Sequence, residues 1–231
     1  MTDKADRNED CVVCGPSCPY RDEVLCLRKK IDDLQTIART DALTGLFNYR
    51  HFCETLTNEM ERVRRSGQPM ALVIGDVDHF KHFNDAHGHE LGNEVLKGVG
   101  RCIDRTLRKL DVACRYGGEE FALILPGTNL RQAQRVAERV RKSVAAEQIS
   151  AEDGSVLTVT MSLGCTLFST DCSVTPDQLV AAADKQLYQA KNQGRNCVCV
   201  EERKVASSSP VTQEEKSALF ELLNNSANQD D

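Results

Sequence analysis

Apolar residues along this chain keep two periods, and the switches between them mark out its elements. Spacings of three and four predict helices near 48–66, 91–107, 129–146 and 176–192, while short apolar or alternating runs predict strands near 70–76, 112–116, 120–125, 156–168 and 196–200. Helices and strands interleaved in this way predict an α/β sandwich with a central, mainly antiparallel sheet flanked by helices. Ahead of it, Val24, Leu27, Ile31, Leu34 and Ala38 form a seam of about two heptads, a helical connector over 24–40. Such a seam fits a dimer interface, or a helix packing on its own domain. The dimerising connector is the preferred reading, because the chemistry developed below needs two subunits. From Lys204 the run Val-Ala-Ser-Ser-Ser-Pro opens a flexible tail over 204–231, in which Leu219, Phe220, Leu222 and Leu223 suggest one short helix.

Between two of the predicted strands lies Arg115-Tyr-Gly-Gly-Glu-Glu-Phe121. Gly117-Gly118 falls where a hairpin turn calls for positive φ and close backbone approach, which places Glu119 and Glu120 at the tip. Carboxylates beside a bare main chain suit a divalent cation carrying a polyphosphate, since hard cations take oxygen ligands. Alone, the motif is equally an ordinary hairpin with a charged tip. Upstream, Met70 to Asp76 reads as a buried strand delivering Asp76 to its carboxyl end, where ligands gather in open α/β sheets. The polar stretch Asn84 to Asn93 precedes a helix and suits recognition of a base or sugar.

Composition narrows the remaining choices. A net charge of −6 over 231 residues gives no basic field for DNA or RNA, so any nucleic-acid chemistry is expected on mononucleotides. No run approaches a membrane span, and Met1 to Arg21 lacks a signal-peptide apolar region, so a cytoplasmic protein without membrane insertion is expected. Of 11 cysteines, Cys11, Cys14, Cys18 and Cys26 cluster in the segment 1–23 and the start of the connector. They read either as four thiolates for Zn²⁺ or an iron–sulfur cluster, or as an incidentally Cys-rich arm. His79, His82, His87 and His89 near Asp76 and Asp78 sketch a transition-metal site, but a lysine at 81, in an expected turn, argues against it.

Taken in order, Asp41-Ala-Leu-Thr-Gly-Leu-Phe-Asn48, Asp76 to Lys81, Asn84 to Leu96, Gly117 to Phe121 and Lys191-Asn-Gln-Gly-Arg195 resemble the diguanylate cyclase family, named for its Gly-Gly-Asp/Glu-Glu-Phe signature. The resemblance implies a GGDEF domain over 41–203 with a palm-like nucleotidyl cyclase fold. It also implies condensation of two GTP into cyclic di-GMP with release of two pyrophosphates, in a homodimer using two Mg²⁺ (or Mn²⁺) per site. By resemblance, Asp76 and Glu119 bind the cations through carboxylates and Val77 through its carbonyl. Glu119 accepts the 3′-hydroxyl proton, and Lys81 stabilises the transition state. Phe80 and Lys81 N–H groups cradle phosphates, Lys191 and Arg195 bind the triphosphate, and Asn84 and His89 contact guanine. For an isolated K-x-x-x-R, a solvated cationic helix end would be the better account.

Asn93 departs from the family's usual Asp, offering one acceptor oxygen where guanine presents two donors. That weakens guanine selectivity by an expected cost of about 1–3 kcal/mol. Arg108-Lys-Leu-Asp111 lies at the offset of the family's product-inhibition site, with Arg139 as a further contact from a partner domain; the alternative is a helix-end salt bridge. Besides an active cyclase, two readings stay open: a silent cyclic di-GMP-binding effector, disfavoured by the complete set Asp76, Lys81, Glu119, Lys191 and Arg195, and a mixed GMP–AMP cyclic dinucleotide synthase.

Overall fold

The computed structural model of the chain describes residues 20–151 and 154–201. Cys11, Cys14 and Cys18, and the expected tail with its short helix, lie outside the described residues. The connector is a helix, α1 (Arg21–Arg39). Val24 and Leu27, at the start of the expected seam, are exposed on it. Cys26 is an exposed free thiol on the same helix.

The elements that follow are α2 (Tyr49–Ser66), β1 (Met70–Val77), α3 (Phe80–His87), α4 (His89–Thr106), β2 (Val112–Arg115), β3 (Glu120–Pro126), α5 (Leu130–Ala146), β4 (Ile149–Ser150), β5 (Val156–Leu157), β6 (Met161–Phe168), α6 (Pro176–Asn192) and β7 (Val198–Val200). Five strands make one sheet in the order β2-β3-β1-β6-β7, with only the β6–β7 pair parallel. The mainly antiparallel sheet expected from the sequence is therefore present, with β1 in its centre and buried along all eight residues.

Alternation along β1 sorts its side chains onto two faces. Ala71, Val73 and Val77 join a core with Val95, Val99, Ala137 and Val140 of α4 and α5. Met70, Leu72 and Ile74 join a second core with Phe52 and Leu56 of α2 and Leu179 and Ala183 of α6. Asp76 continues the second set in register, so its carboxylate faces the α2–α6 side. The helix starts are fixed locally: Asn129 with Gln132, and Thr175 with Gln178 behind Pro176, form reciprocal capping boxes on α5 and α6.

Three expectations are corrected. Phe80-Lys81, expected in a turn, instead open α3; only Phe80 and Phe83 of that helix contact the core, too few to show a helical period in sequence. The strand expected over 156–168 is broken: β5 pairs with β4 in a separate ribbon, and β6 begins at Met161, its pairing with β1 extended by the Asp78 N–H donating to the Thr160 carbonyl. Neither Gly117 nor Gly118 adopts the positive φ expected of the hairpin. An added Cβ at 117 would meet the end of the flexible Glu120 side chain and displace its carboxylate, whereas Gly118 faces open space.

The eight free cysteines among the described residues include Cys102, Cys114, Cys165 and Cys199 in buried positions. Burial pushes the Cys114 and Cys165 thiols up to about 12, which makes them core residues without nucleophilic character.

Gly164 on β6 lets α6 lie directly on the sheet, as a Cβ there would meet Leu187 N and Ala183 O of the helix backbone. Gly164→Ala is expected to lower stability by about 3 kcal/mol in denaturant titration, because a helix backbone cannot give way as a side chain does. Unchanged stability would mean that α6 shifts freely over the sheet.

Candidate active site

The end of β1 brings three carboxylates together. Asp76 lies opposite Glu120 of β3 and opposite Ser162 of β6, and the Val77 N–H donates to the Glu119 carbonyl at 3.2 Å. Residues directly opposite on antiparallel strands are close neighbours, and like charges there repel. Asp76 is only 7% exposed. Its carboxyl is lifted above the usual range by burial and by Asp78, against the pull of Lys191 and Arg195. Glu119 and Glu120 are raised in the same way, by burial first and then by Asp76 and each site's other acidic neighbours.

Lys191 pairs directly with this cluster. The Lys191 Nζ, in the last turn of α6, pairs with Asp76 Oδ1 at 2.9 Å, and its charge also draws down Glu119 and Glu120. Two turns earlier on the same helix, Asp184 adds its charge to the repulsion on Glu120. Glu120 and Asp184 were given no role by sequence reasoning. The signal for Asp184 was its spacing of seven from Lys191, which puts both on one helix face.

Beyond β1 the chain turns through His79, in the left-handed conformation at φ 57°, into α3. The first helical bond of α3 runs from Phe83 N–H to the His79 carbonyl, so the N–H groups of Phe80 and Lys81 have no partner within the helix. Such an end favours anions. Lys81 is exposed beside it.

At the other side of the hairpin, Arg115 ties the turn to the connector. Its Nε and Nη2 donate to the Gly118 carbonyl at 3.1 and 2.7 Å, and its Nη1 reaches the Asp41 carboxylate at 3.3 Å. Asp41 also accepts from the Thr44 N–H and hydroxyl. Burial opposes its charge, but these bonds from Thr44 and Arg115 hold the carboxyl below its usual range. Asn48 accepts from His51 N–H to cap α2, and its Nδ2 donates to the Ala38 carbonyl at 2.9 Å. The Asp41 to Asn48 motif, quoted in the sequence without a mechanical role, is thus the joint between α1 and the hairpin.

His89 and Asn93 line a cavity of about 860 Å³ with Leu43, His87, Glu94 and Lys97. Asn84 is not part of that lining. Its buried Oδ1 has no hydrogen-bond partner and lies against Gly92, where a Cβ would displace it. Among the described residues no three His, Cys, Asp or Glu side chains are placed to cage a metal ion by themselves.

Arg108 and Asp111 form a local pair beside a second cavity of about 480 Å³. The Asp111 side chain is fully buried and accepts from the Arg108 backbone N–H at 3.0 Å and its Nη2 at 3.3 Å. Arg108 also reaches Thr128 Oγ1 at 3.1 Å while staying 62% exposed. The Arg139 Nη2 donates to the Thr106 carbonyl of the same chain at 2.9 Å, at the end of α4 two residues before Arg108.

Known proteins bear on this arrangement. Residues 38–197 match the family model described as "Diguanylate cyclase, GGDEF domain". The response regulator PleD of Caulobacter vibrioides is 39% identical over 173 residues, which cover 74% of this chain and 38% of PleD. Diguanylate cyclase VdcA of Vibrio cholerae is 37% identical over 180 residues, covering 76% of this chain and 51% of VdcA. The chain therefore spans about half or less of the length of these relatives. The coiled coil and GGDEF domain of DgcB from Caulobacter crescentus, solved in complex with c-di-GMP, superposes with a TM-score of 0.73 at 30% identity, over 78% of this chain and 94% of that one. Diguanylate cyclase SiaD from Pseudomonas aeruginosa, solved with its activator SiaC, gives 0.70 at 38% identity over 78% and 68%. With its signature hairpin set against the acidic end of the central strand, this chain belongs to the diguanylate cyclase family of GGDEF domains.

Proposed function

We propose that the chain condenses two GTP into cyclic di-GMP, releasing two pyrophosphates, as a Mg²⁺-dependent homodimer. The observation that carries this reading is the meeting of Asp76, Glu119 and Glu120 at one sheet end, their repulsion relieved by Lys191. Three crowded carboxylates without a full cage suit a hard cation that completes its shell with phosphate oxygens and water. The residues present fit that group: Asp76 and Glu119 would hold it through carboxylates and Val77 through its carbonyl, with Glu120 adding charge beside them. When bound, two Mg²⁺ ions (or Mn²⁺) would lower the pKa of the 3′-hydroxyl and neutralise charge on the triphosphate.

This chain's own groups do the rest. Lys191 and Arg195 bind the triphosphate, and the Phe80 and Lys81 N–H groups receive its oxygens at the start of α3. The Lys81 ammonium offsets charge that builds as the new bond forms. Asn84, His89 and Asn93 are assigned to the base, His89 and Asn93 from the lining of the larger cavity. Each 3′-oxygen loses its proton to Glu119, bonds the α-phosphorus of the other GTP, and the bond to the departing pyrophosphate breaks. One GTP per domain and a two-fold symmetric product require two chains face to face, and the exposed Val24 and Leu27 on α1 support pairing through the connector. Asn93, with a single acceptor oxygen, favours looser base selection and hence some mixed GMP–AMP product.

Product inhibition is assigned to Arg108. Buried Asp111 holds that guanidinium at the rim of the smaller cavity, where an exposed arginine meets a phosphate or stacks on guanine. Arg139, bonded to the Thr106 carbonyl within its own chain, is assigned to complete the inhibitory site of a partner domain.

Glu119→Gln is expected to lower cyclic di-GMP formation with Mg²⁺ by at least about a hundredfold, the scale of losing one charge-stabilising group. The same substitution should raise the melting temperature of the cation-free protein at pH 7. A carboxyl raised in the folded state stabilises fully below its unfolded value of 4.5, and that stability is lost as pH rises through the folded value. The gain over wild type should accordingly vanish below pH 4.5. Retained turnover in the folded variant would remove Glu119 from the cation site.

For the inhibitory site, Arg108→Ala should weaken cyclic di-GMP binding by about tenfold or more in calorimetry and relieve inhibition, with initial rates near wild type. Unchanged affinity would reduce Arg108–Asp111 to a structural salt bridge.

A further inference from the structure

The turn after α6 carries the least favourable backbone in the described chain. Gly194, Arg195 and Asn196 follow one another at φ 107°, 65° and 45°; Gly and Asn tolerate the left-handed region, and Arg195 is the residue for which it is rare. A strained segment persists only where its surroundings over-determine it. Here the Arg195 N–H donates to the Ala190 carbonyl at 3.1 Å, and Arg141 Nη1 on α5 donates to Asn196 Oδ1 at 2.7 Å. The remaining restraint comes from the active-site strand: the Asn196 N–H donates to Asp78 Oδ2 at 3.0 Å.

Asp78 is built for that task. It is 7% exposed, and its carboxylate accepts from Thr160 Oγ1 at 2.7 Å and Ser162 Oγ at 2.6 Å as well as from Asn196. Its own N–H is fixed to the Thr160 carbonyl. Three donors from β6, its approach and the turn fill a charged acceptor that has no other reason to be buried. The acid lies two residues beyond Asp76, so one short stretch of chain carries the cation-facing carboxylate and the anchor of the turn. Arg195 looks back at the same place: burial lifts the Asp76 carboxyl, and the charges of Lys191 and Arg195 draw it down.

We infer that Asp78 is a positioning residue for triphosphate binding, holding the 194–196 turn in its left-handed form so that Arg195 faces the Asp76 end of β1. It acts through Arg195 and touches no substrate. The inference rests on the reading of Arg195 as a triphosphate ligand. It separates the two acids of the Asp-Val-Asp sequence at 76–78 by role, the first facing the reacting groups and the second facing the turn.

The test is a double-mutant cycle on the full chain, read by calorimetry with Mg²⁺ and two probes, GMP and a GTP analogue with a methylene between its α- and β-phosphorus atoms. Arg195→Ala and Asp78→Ala should each weaken the analogue by about tenfold and leave GMP within about twofold, and the double variant should be no worse than Arg195→Ala alone. Should Asp78→Ala not fold, Asp78→Asn keeps the volume while giving the Asn196 N–H a neutral acceptor, and the same selective loss is expected in smaller measure. Equal weakening of both probes, or additive losses in the double variant, would make Asp78 a structural acid and overturn the inference. If Arg195→Ala weakens the analogue and neither Asp78 variant does, the inference alone fails. If Arg195→Ala has no effect, the triphosphate reading of Arg195 fails and the inference with it.

Discussion

Repulsion among Asp76, Glu119 and Glu120 is the constraint to which the rest of this structure answers. Acids meeting across antiparallel strands, one of them 7% exposed, oppose folding unless positive charge is supplied. The fold supplies it through Lys191 at the end of α6, which pairs directly with Asp76, and through the charge of Arg195 just beyond it. That places a demand on α6, whose register over the sheet is set by the missing side chain of Gly164. A site of this kind trades stability for affinity: charge that is unfavourable in the empty protein becomes favourable when a cation and a polyphosphate enter.

The same constraint explains why the two sides of the sheet differ. The face covered by α4 and α5 is closed by apolar contacts. The face covered by α2 and α6 is apolar for most of β1 and turns acidic at its last residue on that face, Asp76. At that end the chain provides α3 amides on one side, the Arg195 turn on another and the Gly118 loop on a third. The last two are braced by a buried or half-buried acid, Asp78 for the turn and Asp41 through Arg115 for the loop. Asn48 extends the second brace to the end of α1, so the connector and the hairpin share one hydrogen-bonded frame.

Much of this was legible in sequence where a residue's role depends on near neighbours. The apolar run ending in Asp76 predicted a buried strand with an acid at its end, and helix periods gave α2, α4, α5 and α6 to within a few residues. Short or context-dependent features were not legible. Eight residues with two core contacts could not announce α3, and the Gly-Gly pair suggested a positive φ that the turn does not use. Asp78 finds Thr160, Ser162 and Asn196 at separations of 82, 84 and 118 residues, pairings that only the closed sheet creates. Glu120 likewise acquires its importance from the register that sets it opposite Asp76.

The claim that this acidic strand end is a nucleotide-linked cation site is tested most directly by titrating the metal-free protein with Mn²⁺, followed by electron paramagnetic resonance, with and without the methylene GTP analogue. With Lys191 seated on Asp76, binding should be weak for Mn²⁺ alone and should tighten to about two ions per chain when the analogue is present, an effect lost in Asp76→Asn. Mn²⁺ binding that ignores the analogue, or that survives unchanged in Asp76→Asn, would contradict the account.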